Sequence, residues 1–205
     1  MIRRVVVATF ASLLLAGSAN ASLIQNGNFD LSNAGFGQGL YGNGFSSTVV
    51  QAPGWTFTNG SGILNNGWGG AGTMAFLQNY SPLNWANPSL SQTFTSSASS
   101  FTVSFQLRQR GGNQESVNVV LDGKAIAATL TPVDHMWTTY SFDIAGLSGS
   151  SHTLSFNAFN QSRAADSTLF VDSVTVTANE VPEPVSIALV MGGLGMIGVA
   201  RRRRR

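Results

Sequence analysis

The chain has no cysteine in 205 residues. That excludes disulfides, zinc thiolate sites, iron–sulfur clusters and cysteine nucleophiles. Charge is also scarce: charged residues make up 10% of the sequence, against about 25% in a typical soluble domain. Seven of the eleven basic residues, Arg3, Arg4 and Arg201 to Arg205, sit at the extreme ends. Between Ser22 and Glu180 only Arg108, Arg110, Lys124 and Arg163 remain, against eight acidic residues, a net of −4. A nucleic-acid binder sets Lys and Arg against phosphates, so that class is excluded. Histidine is limited to His135 and His152, with no His-Glu-x-x-His and no Gly-x-Ser-x-Gly, which leaves catalysis little support. A glycosidase pair would have to come from Glu115, Asp122, Asp134, Asp143 or Asp166. All five fall in turns, edges or strand ends, where a solvated carboxylate is expected, although spacing leaves open a pair formed in space. Gly37-Gln-Gly-Leu-Tyr-Gly42 matches Gly-x-Gly-x-x-Gly by letter, but no helix follows it, so it reads as turn composition. His135 reads as a surface residue.

Both ends read as addresses. Met1 to Ala21 has the layout of a secretory signal peptide: Arg3 and Arg4, an apolar stretch from Val5 to Ala16, and small residues at Ala19 and Ala21 for signal peptidase. Residues 1–21 are therefore expected to form a signal helix that is removed after Ala21. At the other end, Val181-Pro182-Glu183-Pro184 precedes an uncharged, mostly apolar span, Val185 to Ala200. As a helix that span rises about 24 Å, a little short of the bilayer's ~30 Å hydrocarbon core, and the flanking arginines can snorkel. Arg201, Arg202, Arg203, Arg204 and Arg205 stand on the side that the positive-inside rule places in the cytoplasm. The order of these parts, Val181 to Arg205, resembles the PEP-CTERM sorting signal of Gram-negative bacteria. The resemblance implies export, transient membrane anchoring through a short transmembrane helix, and processing by exosortase in bacteria that make exopolysaccharide.

The intervening residues, 22–180, suffice for one core. No stretch sustains helical periodicity, whereas strand signals are frequent. Phe101, Val103, Phe105 and Leu107 alternate with Thr102, Ser104, Gln106 and Arg108, giving a buried face and a wet one. Val117 to Leu121, a hairpin turn at Asp122-Gly123, and Lys124 to Leu130 follow. Trp137 to Ile144, Thr153 to Phe159 and Thr168 to Thr177 complete the second half. In the first half the candidates are Leu23 to Phe29, Trp55 to Thr58, Met74 to Leu77 and Leu90 to Thr95. Four Asn-Gly pairs, at Asn26, Asn43, Asn59 and Asn66, supply turns. The expected fold is all-β: an antiparallel jelly-roll β-sandwich with almost no helix.

Asn26-Gly-Asn-Phe-Asp30 resembles the opening of galactose-binding-like jelly rolls, a superfamily that includes many carbohydrate-binding modules. Ser91-Gln92-Thr93-Phe94 and Leu169-Phe-Val-Asp-Ser-Val-Thr-Val176 resemble an internal strand and the closing strand of the same fold. Such domains commonly hold a structural calcium between the first and last strands. The matching positions here are Asp30 and Asp172, whose carboxylates suit a hard cation. The bland alternative pairs Asp172 with a backbone amide or with Arg163.

From Leu31 through Leu107 there is no charged residue in 77 positions, yet the segment holds twelve of the twenty aromatics. Such a surface suits a neutral sugar: rings cover the apolar face of a pyranose and amides pair with its hydroxyls. Phe57, Phe76, Phe94, Phe101 and Phe105 read as core. Trp68, in a Gly-rich loop, and Trp85, in a proline-bounded loop, are the stacking candidates, or else plugs for the ends of the sandwich. Asn66, Gln78, Arg108, Arg110 and Gln114 are candidate polar helpers, though a solvated face also accounts for Arg108 and Gln106. The expectation is an exported, non-enzymatic sandwich that binds neutral polysaccharide or exopolysaccharide at the cell surface or in the matrix. The alternatives are a structural or adhesive biofilm-matrix protein working through protein contacts, and a glycan-active hydrolase.

Overall fold

The structure, a computed structural model, describes residues 21–42, 50–58, 60–66, 72–80, 87–112, 114–133, 135–159 and 166–179. Eleven strands follow one another: β1 Gly39–Tyr41, β2 Thr56–Phe57, β3 Ser61–Asn65, β4 Thr73–Tyr80, β5 Ser89–Thr95, β6 Ser100–Gln109, β7 Ser116–Leu121, β8 Lys124–Leu130, β9 Thr138–Ala145, β10 Ser151–Phe159 and β11 Asp166–Ala178. They form two antiparallel sheets, one six-stranded in the order β1-β3-β4-β11-β6-β9, the other five-stranded in the order β2-β5-β10-β7-β8. No helix occurs among the described residues, and none there is long and apolar enough to cross a membrane. The signal segment, apart from Ala21, and the span at 185–200 lie outside the described residues.

Period-two alternation builds the sandwich. On β6, Phe101, Val103, Phe105 and Leu107 are fully buried, while Thr102, Ser104, Gln106 and Arg108 point away. His152, Leu154, Phe156 and Ala158 do the same on β10. The sheets meet edge to face, Phe105 against Phe156 at 5.1 Å and Phe94 against Phe101 at 5.6 Å. Between β7 and β8 the expected hairpin is present: Asp122 and Gly123 both take positive φ, 52° and 76°, as a two-residue turn of the I′ kind requires.

Leu23 to Phe29 is not a strand. It is a run of turns tied to the last strand: Leu23 N–H donates to Val176 O at 2.7 Å, and Val174 N–H to Gly27 O at 2.8 Å. A Cβ on Gly27 would stand 1.9 Å from Val174 O, so only glycine allows this approach. Gln92 clamps the same segment, accepting from Gln25 N–H at 2.7 Å and donating to Gln25 O at 2.9 Å. Phe29 is fully buried against Trp55, whose indole N–H donates to Asn26 O. The opening motif and the glutamine strand are thus one structural device. β1 and β3 carry no regular alternation, and sequence periodicity misses both.

Near the start of β10, His152 is fully buried between Phe94 and Phe101, with ring centroids 5.5 and 4.9 Å away. Its Nδ1 lies 2.6 Å from Asp122 Oδ2 and its Nε2 3.1 Å from Ser96 O. Asp122 also accepts from Thr153 N–H at 2.8 Å. Both ring nitrogens are therefore engaged in holding loops together.

Candidate functional site

The central strands of the six-stranded sheet, β4 and β11, are apolar on both faces. Ala75, Leu77, Leu169 and Val171 join the main core, whereas Met74, Phe76 and Phe170 form a second cluster with Tyr41, Leu64 and Trp137 packed against it. Phe76, expected in the core, is buried in this second cluster. Alternation in β4 places Phe76 on the face away from the main core, where it is covered by Tyr41 in an edge-to-face contact at 4.8 Å. Tyr41, Gly62 and Phe76 lie in register on three adjacent strands. A Cβ on Gly62 would meet Phe76 Cζ at 2.8 Å and Leu40 O at 2.0 Å, so the glycine admits the ring.

Above this cluster lies a groove of about 630 Å³, lined by Gly37, Gly39, Tyr41, Leu64, Phe76, Gln78, Arg110, Thr168 and Phe170. That volume is ordinary for a small-molecule site. One wall is a turn: Gln38 N–H donates to Gly35 O at 3.0 Å and Gly37 N–H to Asn65 O at 2.8 Å. With Gly37 at φ 74°, the turn leaves Phe36 81% exposed at its tip. The glycines of the Gly-x-Gly-x-x-Gly look-alike thus shape a groove wall rather than a phosphate loop.

The polar rim is a chain of hydrogen bonds. Tyr41 O–H donates to Gln78 Oε1 at 3.1 Å, and Gln78 Nε2 donates to Asp166 Oδ1 at 2.9 Å. Asp166 Oδ2 accepts Arg110 Nη2 at 2.6 Å. Arg110, which lines the groove, is therefore matched by Asp166. Burial pushes the Tyr41 hydroxyl above its ordinary range, the Asp166 carboxylate adds to that, and Arg110 opposes it. Thr168 is buried, and among the described residues its Oγ1 has no hydrogen-bond partner. A buried hydroxyl left unpaired is costly, so its position in the groove lining marks a place for a polar ligand atom.

Of the helpers expected from sequence, the structure brings Gln78 and Arg110 into this groove. Arg108 is on the same face, in register with Phe170. Asn66 stands at the end of β3 with φ 51°, its N–H donating to Gly72 O at 2.7 Å. Gln114 is exposed. Trp68 and Trp85 lie outside the described residues. Tyr41, Thr168 and Phe170 went unnoticed in the sequence because single aromatic and hydroxyl residues in strands carry no motif.

The acidic candidates separate by environment. Asp172 sits at a β-bulge where the pairing with β6 slips before Thr175 and Ser173 adopts φ 52°. Its carboxyl is pushed up to about 6 by burial first and by Asp30 nearby, against a hydrogen bond from Ser173 N–H at 2.6 Å. Among the described residues no group of three or more His, Asp or Glu side chains gathers at a metal-binding distance. Arg163 lies outside the described residues. Glu115 corrects the expectation of a solvated carboxylate: it is fully buried, accepting from Asn79 Nδ2 and Ser167 Oγ. Burial lifts its carboxyl to about 7, hydrogen bonds from Ser167 and from the side chain and backbone of Asn79 oppose the rise, and Asp166 adds to it.

No curated protein matches the chain. Among solved structures, TmCBM61 in complex with β-1,4-galactotriose is similar at 12% identity and a TM-score of 0.51, covering 78% of this chain and 99% of that one. The CBM22-1 xylan-binding domain from Paenibacillus barcinonensis Xyn10C aligns at 14% identity and a TM-score of 0.45, over 76% of this chain and 97% of that one. A CBM4 structure aligns at 15% identity and a TM-score of 0.43, over 76% and 99%. The first of these identifies a shared sandwich fold. Residues 180–205 match the PEP-CTERM protein-sorting motif, which marks the chain as an exported, membrane-anchored precursor sorted to the cell surface.

Proposed function

We propose that the protein is a non-catalytic glycan-binding jelly roll, displayed at the cell surface, that takes a neutral polysaccharide in the groove of its six-stranded sheet. The observation that carries this reading is the groove itself: an apolar floor of Tyr41, Phe76 and Phe170 beside a charge-matched rim and a buried hydroxyl with no partner among the described residues. Aromatic faces cover the CH face of a pyranose, while Gln78, Thr168 and the Arg110–Asp166 pair offer donors and acceptors to its hydroxyls. A neutral chain fits better than a uronic acid because Arg110 is already matched by Asp166. The glycan-bearing neighbour, TmCBM61 with galactotriose, shares the fold and supports the ligand class. Trp68 and Trp85 are proposed as further stacking residues for the glycan. Catalysis is disfavoured by the carboxylates: Glu115 is sealed inside, and Asp166 is committed to Arg110 and Gln78.

In the exported protein, the signal peptide is removed after Ala21, residues 22–180 form the binding domain, and the span at 185–200 anchors the precursor until exosortase acts. Calcium is proposed at Asp30 and Asp172, bracing the opening turns against β11. The test is affinity electrophoresis of the purified protein through neutral and acidic polysaccharides, with calcium and with chelator. Retardation by a neutral glycan, lost in Phe76→Ala, supports the reading. A folded protein that no glycan retards contradicts it.

A further inference from the structure

Glu115 precedes β7 and is fully buried. Its side chain accepts from Asn79 on β4 and Ser167 on β11, and its N–H donates to Gln109 Oε1 on β6 at 3.2 Å. Gln109 Nε2 then donates to Thr168 O at 3.0 Å, and Asn79 Oδ1 accepts Asn87 N–H at 2.9 Å. Two strands of the six-stranded sheet, β4 and β11, thus hang on one carboxylate from the inner side, and β6 is tied to the backbone N–H of the same residue. Because successive strand residues face opposite ways, the immediate neighbours of those three partners project outward. Asn79 follows Gln78, Ser167 stands between Asp166 and Thr168, and Gln109 precedes Arg110. Gln78, Thr168 and Arg110 line the groove, and Asp166 pairs with Arg110 beside it.

We propose that Glu115 is a positioning residue for the groove, its buried carboxylate fixing Gln78, Asp166 and Thr168 from the far side of the sheet, and Arg110 through its ion pair with Asp166. The inference rests on the groove being the binding site. Both side-chain contacts are donors aimed at Glu115, the arrangement an ionised carboxylate satisfies in full. A protonated carboxyl has to donate once. Asn79 cannot turn its amide without releasing Asn87, so Ser167 must reverse its hydroxyl. Protonation therefore falls on β11, next to Asp166 and Thr168. The carboxyl's displacement to about 7 puts this change within reach of ordinary buffers. Among the described residues, the titratable and charged groups on the surrounding elements are Asp166 and Asp172 on β11, Arg108 on β6 and Arg110 after it, Tyr41 on β1, Tyr80 on β4 and His135. The His135 Nε2 lies 2.3 Å from where a Cβ on Gly111 would be.

The test compares the full chain with Glu115→Gln, both in a His135→Gln background that removes the neighbouring imidazole as a source of the same pH response. Side-chain NMR signals of Arg110 and Gln78 are followed from pH 5.5 to 8.5, and binding of β-1,4-galactotriose and a neutral polysaccharide panel is measured alongside. Expected with Glu115 present are shifts of both side chains with a midpoint near 7 and tighter binding on the alkaline side. In Glu115→Gln the signals should be flat with pH, and affinity at pH 8 should fall roughly threefold to tenfold, the size of one or two misplaced hydrogen bonds. Its melting temperature should not fall, since the buried charge is gone; a merely structural role predicts that stability and affinity fall together. Should Glu115→Gln not fold, Ser167→Ala supplies the same comparison. Flat Arg110 and Gln78 signals in the Glu115 protein overturn the inference. A clear pH response in a protein that binds no glycan leaves the positioning role intact and sinks the groove reading instead.

Discussion

On the five-stranded sheet, the outward residues of β5 are Ser89, Ser91, Thr93 and Thr95, standing opposite Asn157, Ser155, Thr153 and Ser151 of β10. On the six-stranded sheet, the corresponding face carries Tyr41, Leu64, Met74, Phe76 and Phe170. An antiparallel sandwich needs only one apolar face per sheet, so the first arrangement is what folding alone demands. The second exceeds that demand. Folding gains less from an outer-face cluster beneath an open groove than from sealed contacts, and an aromatic patch beside polar groups is how ligand sites are marked. The chemistry of the two faces therefore separates what holds the sandwich together from what it is displayed to do.

Removing the floor should break the contrast most severely. Phe170→Ala is expected to lower unfolding stability by about 3 kcal/mol, read by thermal melting, because a large ring leaves a packed site. It should abolish glycan retardation as well. The pH dependence of stability comes next. Glu115 has its carboxyl raised from 4.5 to about 7 in the fold, so its contribution is fully present below 4.5 and lost as pH rises through 7. The loss is about 3 kcal/mol, and Glu115→Gln should remove this slope in chemical denaturation. Asp172, raised to about 6, acts in the same direction over a narrower window.

Selectivity gives a finer test. Asp166→Ala leaves Arg110 without its carboxylate, and binding should move toward acidic polysaccharides by about tenfold, with a strong salt dependence. Tyr41→Phe keeps the ring and deletes the hydroxyl donated to Gln78. Affinity and stability should each fall by about 1 kcal/mol, measured by titration calorimetry and melting. On the opposite face, Thr93→Ala with Thr153→Ala removes a hydroxyl pair 2.9 Å apart. Its effect should stay within about 0.5 kcal/mol, with no change in glycan binding.

Much of the sandwich was legible in the sequence because alternation in β6 and β10 and the Asp122-Gly123 turn are local signals. The groove was legible only in part. Gln78 and Arg110 were marked as polar residues near an uncharged, aromatic-rich segment, and both line it. Phe76 is buried as its apolar surroundings suggest, but a strand apolar on both faces, such as Thr73–Tyr80, gives no sign of which face meets the opposite sheet. Glu115 looked solvated, since its partners Asn79 and Ser167 are 36 and 52 residues away. Its burial is a product of topology, invisible to any window of sequence. The Leu23 to Phe29 segment failed as a strand for the opposite reason: its Asn-Gly-Asn turn chemistry, with Asn26 and Phe29 at positive φ, overrode its apolar residues.

The most direct measurement is a backbone and side-chain NMR titration of the protein with a soluble neutral oligosaccharide, comparing its two outer faces. The account predicts saturable shifts at Tyr41, Phe76, Gln78, Thr168 and Phe170, with Ser91, Thr93, Thr153 and Ser155 unmoved. Shifts confined to the Ser/Thr face, or a groove that stays unperturbed while binding saturates elsewhere, would contradict it.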